Sequence, residues 1–149
     1  MMQLTNCYAF TTLNGQMFLF IMDLNIQNNK KRITTFFDTQ LTEQKLNGTA
    51  WSSLCDQIVE YLPQQVYVSF DIDGLNPSFC PHTGTPVPGG LDFYEALYLL
   101  KKVVSSGRKI VGFDLNEVAP DEEGTTEWDA NVAARLLYKL CGWTLLTSQ

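Results

Sequence analysis

From residue 50 onward the apolar positions switch repeatedly between two periods. In AWSSLCDQIVEYL (50–62), Trp51, Leu54, Cys55, Ile58 and Leu62 recur at helical spacing, and Pro63 closes the predicted helix. VYVSFDI (66–72) takes up the two-residue period of a strand, with Val66, Val68, Phe70 and Ile72 on one face and Tyr67 on the other. Apolar character on both faces predicts a buried strand of the parallel kind. DFYEALYLLKKVVSSG (92–107) returns to helical spacing. Asp92 and Glu95 predict a capping box, Phe93, Leu97, Leu100 and Val104 a buried stripe, and Gly107 the stop. KIVGFDLNEVAP (109–120) reads as a second apolar strand. TTEWDANVAARLLYKLCG (125–142) predicts a helix capped by Thr126, buried along Trp128, Val132, Leu136 and Leu140, and ended by Gly142. The alternation of strand, loop and helix predicts a right-handed parallel βαβ unit in an α/β fold.

Residues 1–48 carry weaker patterns. QMFLFIMDL (16–24) and RITTFFD (32–38) read as strands, joined by the polar NIQNNKK (25–31) as a turn or hairpin connection. The apolar run QMFLFIM is cut by Asp23, too short to span a bilayer, and MMQLTNCYAF lacks a basic leader region. Cys7, Cys55, Cys80 and Cys141 form no C-x-x-C pair, so neither a zinc ribbon nor a thioredoxin-like site is expected. The expectation is a cytoplasmic chain with reduced thiols. The 149 residues suffice for one domain or part of a larger one, and 45% of them are apolar. A net charge of -6 removes any electrostatic case for nucleic acid or an anionic membrane as partner.

The candidate chemistry lies at the strand ends. Parallel strands finish on one edge of their sheet, and ligands of open α/β sheets bind outside those carboxyl ends. Asp71 and Asp73 sit at the end of one predicted strand, Asp114 and Glu117 at the end of the next. Four acids are therefore expected on one rim, with the Pro/Gly loop 74–90 hanging over it. On an ideal strand Asp71 and Asp73 point the same way, roughly 6–7 Å apart at Cα. Two such carboxylates suit one hard cation, or a bridged pair, of the Mg, Ca or Mn kind. The bland alternative has one aspartate capping the turn and the other solvated.

SFDIDGLNPSFCPHTGTPVPGG (69–90) closely resembles the S-F-D-x-D-x-L-D-P-x-x-x-P-x-T-G-T-P-x-x-G-G signature of the ureohydrolase superfamily of arginases, agmatinases and formimidoylglutamases. GFDLNEVAP resembles the same family's segment ending in E-V-x-P, and EWDANVAARLLYKL the helix after it. The resemblance runs over about residues 51–142 and implies a three-layer α-β-α sandwich with a mainly parallel sheet. It also implies a binuclear manganese site that activates water for attack on a guanidino or formimino carbon. By position, Asp71 and Asp73 would be metal ligands, one of them bridging. Glu117 would bind the cationic end of a small amidine or guanidino substrate, and Thr85 would help hold that carboxylate or the substrate. Gly84, Gly89 and Gly90 read as conformational joints.

Departures from the family pattern matter as much. Its other two metal motifs, G-G-D-H and D-A-H-x-D, do not occur in this sequence, and no catalytic residue can be assigned. The lone histidine, His82, reads as a surface or hydrogen-bonding loop residue sooner than a metal ligand, and Asn76 stands where the family usually has Asp. The expectation is therefore the C-terminal half of an arginase-like domain over 49–149, preceded by an unassigned segment over 1–48. Such a chain belongs to a manganese-dependent hydrolase of linear amidines, of agmatinase or formimidoylglutamase type, incomplete in isolation. Its partners would be further copies, or an N-terminal half supplied by another chain. The alternatives are a non-catalytic fragment or pseudoenzyme serving as an oligomerisation or interaction module, and a Ca or Mg module unrelated to catalysis.

Overall fold

The β-branched and aromatic run ending in SFD forms the strand that organises everything else. In the computed structural model, which describes residues 7–13 and 16–22 by their backbone and residues 36–86 and 88–148 in full, this strand is β3 (Gln65–Asp71). It pairs in parallel with β1 (Cys7–Leu13) on one side and β4 (Lys109–Asn116) on the other. β2 (Gln16–Met22) adds antiparallel to β1, giving the order β2-β1-β3-β4 and a mainly parallel sheet. Among the described residues β4 pairs only with β3 and forms an edge.

Val66, Val68 and Phe70 of β3 are buried, as their alternation predicts, and Ile72 continues that set. Each contributes roughly 1.5–3 kcal/mol relative to exposure. Against them pack α2 (Trp51–Glu60), α3 (Phe93–Ser105) and α4 (Trp128–Thr147), in contact α2 with α3 and α3 with α4, so these helices form one layer. The opposite face of β3, carrying Tyr67, Ser69 and Asp71, is only partly buried by the described residues. The α/β class holds, as a partial sandwich.

Helix boundaries follow their chemistry. α2 ends just before Pro63, and Asp92 with Glu95 makes the expected capping box on α3: Asp92 accepts from the Tyr94 N–H at 3.0 Å and Glu95 from the Asp92 N–H at 3.2 Å. The buried face of α3 is Ala96, Leu99, Leu100 and Val103, so Phe93, Leu97 and Val104 flank the core instead of centring it. On α4 the buried residues include Val132, Ala133, Leu136 and Leu140, while Trp128 is 45% exposed. α4 also runs through Gly142 to Thr147. A glycine in a helix costs about 1 kcal/mol, but the turn beyond it is tied down. The Ile110 N–H donates to Thr147 Oγ1 at 3.1 Å, and Trp143 packs on the core.

The N-terminal expectations fare less well. Gln16–Met22 is a strand as predicted, but residues 25–31 and 32–35 lie outside the described residues. Asp38, expected to close a strand, instead opens α1 (Asp38–Leu46). That helix is polar, with Leu41 its one buried apolar side chain, so it carries no amphipathic stripe. No described helix is long and apolar enough to cross a membrane.

Candidate metal centre

β3 stops at Asp71 because the chain tightens into a 3-10 turn over Ile72–Gly74. Asp71 Oδ1 caps that turn by accepting the Asp73 N–H at 2.9 Å. The expected extended pair of aspartates is thus corrected: Asp73 lies on a turn, not on the strand. The bland alternative is half right, since Asp71 does cap. Asp73, however, is only 2% exposed. Thr85, expected to hold the Glu117 carboxylate or the substrate, instead donates its hydroxyl to Asp73 Oδ2, and Asp73 Oδ1 is fully buried with no hydrogen-bond partner among the described residues. A buried carboxylate oxygen left without a donor is expensive, and buried charges are normally paired or bound to metal.

The loop that follows Asn76 is pinned at several of its described residues. Asn76 Oδ1 accepts from both the Ser78 N–H (3.0 Å) and its hydroxyl (2.8 Å), a side-chain turn that uses the residue differing from the family signature. The Cys80 thiol donates to the Ile72 carbonyl at 3.2 Å, and burial, with the charges of Asp73, Asp129 and Asp71 behind it, pushes this thiol up to about 12. Cys80 is a structural hydrogen-bond donor. At the far end, the Leu91 N–H donates to Gly74 O and the Asn76 N–H to Leu91 O, both at 2.9 Å. Gly90 (φ 82) packs so closely there that a Cβ would fall 2.5 Å from the Leu75 carbonyl carbon.

Past the end of β4, Glu117 adopts φ 62, the left-handed region that non-glycine residues occupy at a cost of about 1–3 kcal/mol. Thr83 Oγ1 donates to the Glu117 carbonyl at 2.9 Å and holds it there. The Glu117 carboxylate reaches over the loop: its Oε2 would be 3.2 Å from a Cβ on Gly84. Gly84 therefore provides space for a carboxylate, a different role from the conformational joint expected of it. Glu117 is near enough to Asp71 to help raise its pKa. Burial first, and then the negative charges of Asp73 and Glu117, lift Asp71 to about 6 against the lowering effect of the Asp73 N–H. Asp71, Asp73, Thr85 and Glu117 thus converge on one rim.

The fourth expected acid does not join them. Asp114 pairs with Ser69 two residues back from the strand end, where its Oδ1 accepts from Ser69 Oγ (2.7 Å) and Asn116 Nδ2. His82 is a hydrogen-bonding loop residue as expected, with Nδ1 2.8 Å from Asp129 Oδ1. Asp129, buried to 2% exposure on α4, and Thr83 were not anticipated. The available signal for Asp129 was a carboxylate one position from Trp128 at the start of an apolar stripe.

A cation fits this arrangement from one side. Asp73 Oδ1 and Asp71 are hard oxygen donors with negative charge left uncompensated. Among the described residues, though, no group of three or more His, Cys, Asp or Glu side chains surrounds a common metal position. Asp71 and Asp73 could supply only part of a metal's ligands.

A sequence model described as the arginase family matches residues 21–142. The chain belongs to the arginase family. It is 40% identical over 85 residues to an agmatinase of Pyrococcus horikoshii, covering 57% of this chain and 29% of that protein. To human Arginase-1 it is 47% identical over 62 residues, covering 42% of this chain and 19% of that protein. Among solved structures it resembles the proclavaminate amidino hydrolase from Streptomyces clavuligerus, with a TM-score of 0.58 and 36% identity, covering 72% of this chain and 34% of that one. The chain thus spans under a third of the length of these two sequence relatives and about a third of that structure.

Proposed function

We propose that this arginase-family chain supplies one side of the manganese site and the substrate-binding edge of a guanidino or amidino hydrolase, of the agmatinase type. The observation that carries the proposal is Asp73 Oδ1, a buried carboxylate oxygen with no partner beside a second aspartate whose pKa is raised. Asp71 and Asp73 would hold the metal, and bound manganese would supply an activated water for C–N hydrolysis. Thr85 fixes the Asp73 carboxylate through its hydroxyl. Glu117 presents its carboxylate above Gly84, where a charge-assisted hydrogen bond would orient a guanidinium. A cationic group placed there also compensates the acidic rim.

The chain alone is incomplete as a catalyst in this reading. The residues matched to the family, 21–142, would form the C-terminal part of the domain, and the remaining metal ligands would come from a segment bearing the G-G-D-H and D-A-H-x-D motifs. The edge that β4 forms among the described residues supports this, because a strand added there in parallel would end on the same rim as Asp71 and Glu117.

The test is urea release from agmatine and arginine, with manganese, by the chain alone and by the chain mixed with a polypeptide carrying those two motifs. Release only in the mixture is expected. Turnover by the chain alone would contradict its incompleteness. Manganese binding and complex formation without turnover would favour the second reading, a non-catalytic interaction module, which the missing motifs support.

A further inference from the structure

The loop segment 82–85 touches both acid-bearing elements within three residues. Thr83 holds the Glu117 carbonyl, Gly84 lies under the Glu117 carboxylate, and Thr85 holds Asp73. The residue directly before them, His82, is gripped twice by one side chain of a distant helix. Its backbone N–H donates to Asp129 Oδ2 at 3.0 Å, and its Nδ1 lies 2.8 Å from Asp129 Oδ1. Asp129 is 2% exposed and sits in the first turn of α4, where the helix dipole favours a carboxylate. On the other side of His82, Cys80 is fixed to Ile72.

We propose that Asp129 is a positioning residue for the candidate site: its two-point grip on His82 sets where Thr83 and Thr85 fall, and through them the placement of Glu117 and Asp73. This rests on the reading of Asp71, Asp73 and Glu117 as the cation and substrate edge. The physical reason is geometric. A bidentate carboxylate fixes both the height and the rotation of the chain at residue 82, and the next three residues have little freedom left between that anchor and their own partners. A first-turn carboxylate without this role would stabilise α4 through the helix dipole and leave the loop's register to Thr83 and Thr85 alone.

Asp129→Ala and Asp129→Asn separate these possibilities. Asn keeps an acceptor for the His82 N–H, and its amide can donate to a neutral Nδ1. Two quantities are measured on the full chain: amide hydrogen exchange at residues 82–85 without metal, and manganese affinity from paramagnetic broadening of the amide signals near Asp73. Asp129→Ala is expected to raise exchange at residues 82–85 and weaken manganese binding about tenfold, the lower end for partners outside the ligand shell. Asp129→Asn is expected to restore most of both, and Asp56→Ala, at an acid of α2 that pairs with Lys102 and makes no contact with His82, to change neither. Faster exchange only within α4, with 82–85 and manganese affinity unchanged, would reduce Asp129 to a first-turn charge that stabilises the helix and overturn the proposal. If the unaltered chain binds no manganese, the metal reading fails, while exchange at 82–85 still decides the grip.

Discussion

The helical side of β3 and the rim at its carboxyl end are adjacent in sequence and opposite in character. On the helical side, Val66, Val68 and Phe70 meet Leu99, Leu100, Leu136 and Leu140 in a core of ordinary apolar packing. One step further along the chain, Asp71 has a raised pKa, Asp73 Oδ1 is buried without a partner, and Glu117 holds a left-handed backbone. Stability resides in the first region, while unfavourable terms are concentrated in the second. Such terms persist only where surrounding structure over-determines them, and they mark places kept for something other than folding.

Breaking the stable side should have the largest effect. Leu136 is fully buried, and Leu136→Ala should lower the free energy of unfolding by about 2–5 kcal/mol, read from urea denaturation. The folded fraction should still bind manganese at the rim. A loss of that binding in fully folded protein would show that the two regions are not separable.

The next contrast is in pH. Asp71 is protonated more readily in the folded chain, near 6, than when unfolded, near 3.8. A raised acid stabilises the fold below its unfolded pKa, and that contribution is lost as pH rises through about 6. Without metal, unfolding free energy should therefore fall between pH 4 and 7 by on the order of 1 kcal/mol from this group, after allowance for solvent screening. Asp71→Asn should flatten that slope. Manganese binding should follow the opposite course and strengthen as pH rises through the same window.

Glu117→Gly should stabilise the chain by about 1 kcal/mol, because glycine accepts the left-handed backbone without strain, while abolishing any guanidinium recognition at that carboxylate. A destabilised Glu117→Gly would mean the carboxylate is needed for folding. Gly84→Ala should be the mildest change, under about 0.5 kcal/mol in stability. It should still displace the Glu117 carboxylate, visible as a shift of its side-chain resonance, because the new methyl would meet Oε2 at 3.2 Å.

The same division governs what the sequence revealed. Where burial dictates residue type, the reading was direct: the alternation in β3, the capping box on α3 and the stop of α2 before Pro63 follow from local rules. Asp71, Asp73, Thr85 and Glu117 were legible as a set only because the strands are parallel and the motif is long. Their geometry was not, since a 3-10 turn gives no periodic signal and a strand period places Asp73 wrongly. Asp129 reaches His82 across 47 residues, a separation at which spacing says nothing. Gly142 looked like a stop because local propensity favours one, but the docking of Thr147 on β4 outweighs it. Between β1 and β2, Asn14 and Gly15 carried a hairpin signal that the longer polar run at 25–31 obscured.

The most direct test is paramagnetic. Manganese titrated into the isotope-labelled chain should first broaden the amide signals of residues 71–75, 84–85 and 117, and Asp73→Ala should remove that pattern while the chain stays folded. Broadening centred instead on the loop acids Asp121, Glu122 and Glu123, or unchanged in Asp73→Ala, would contradict a cation site at the end of β3.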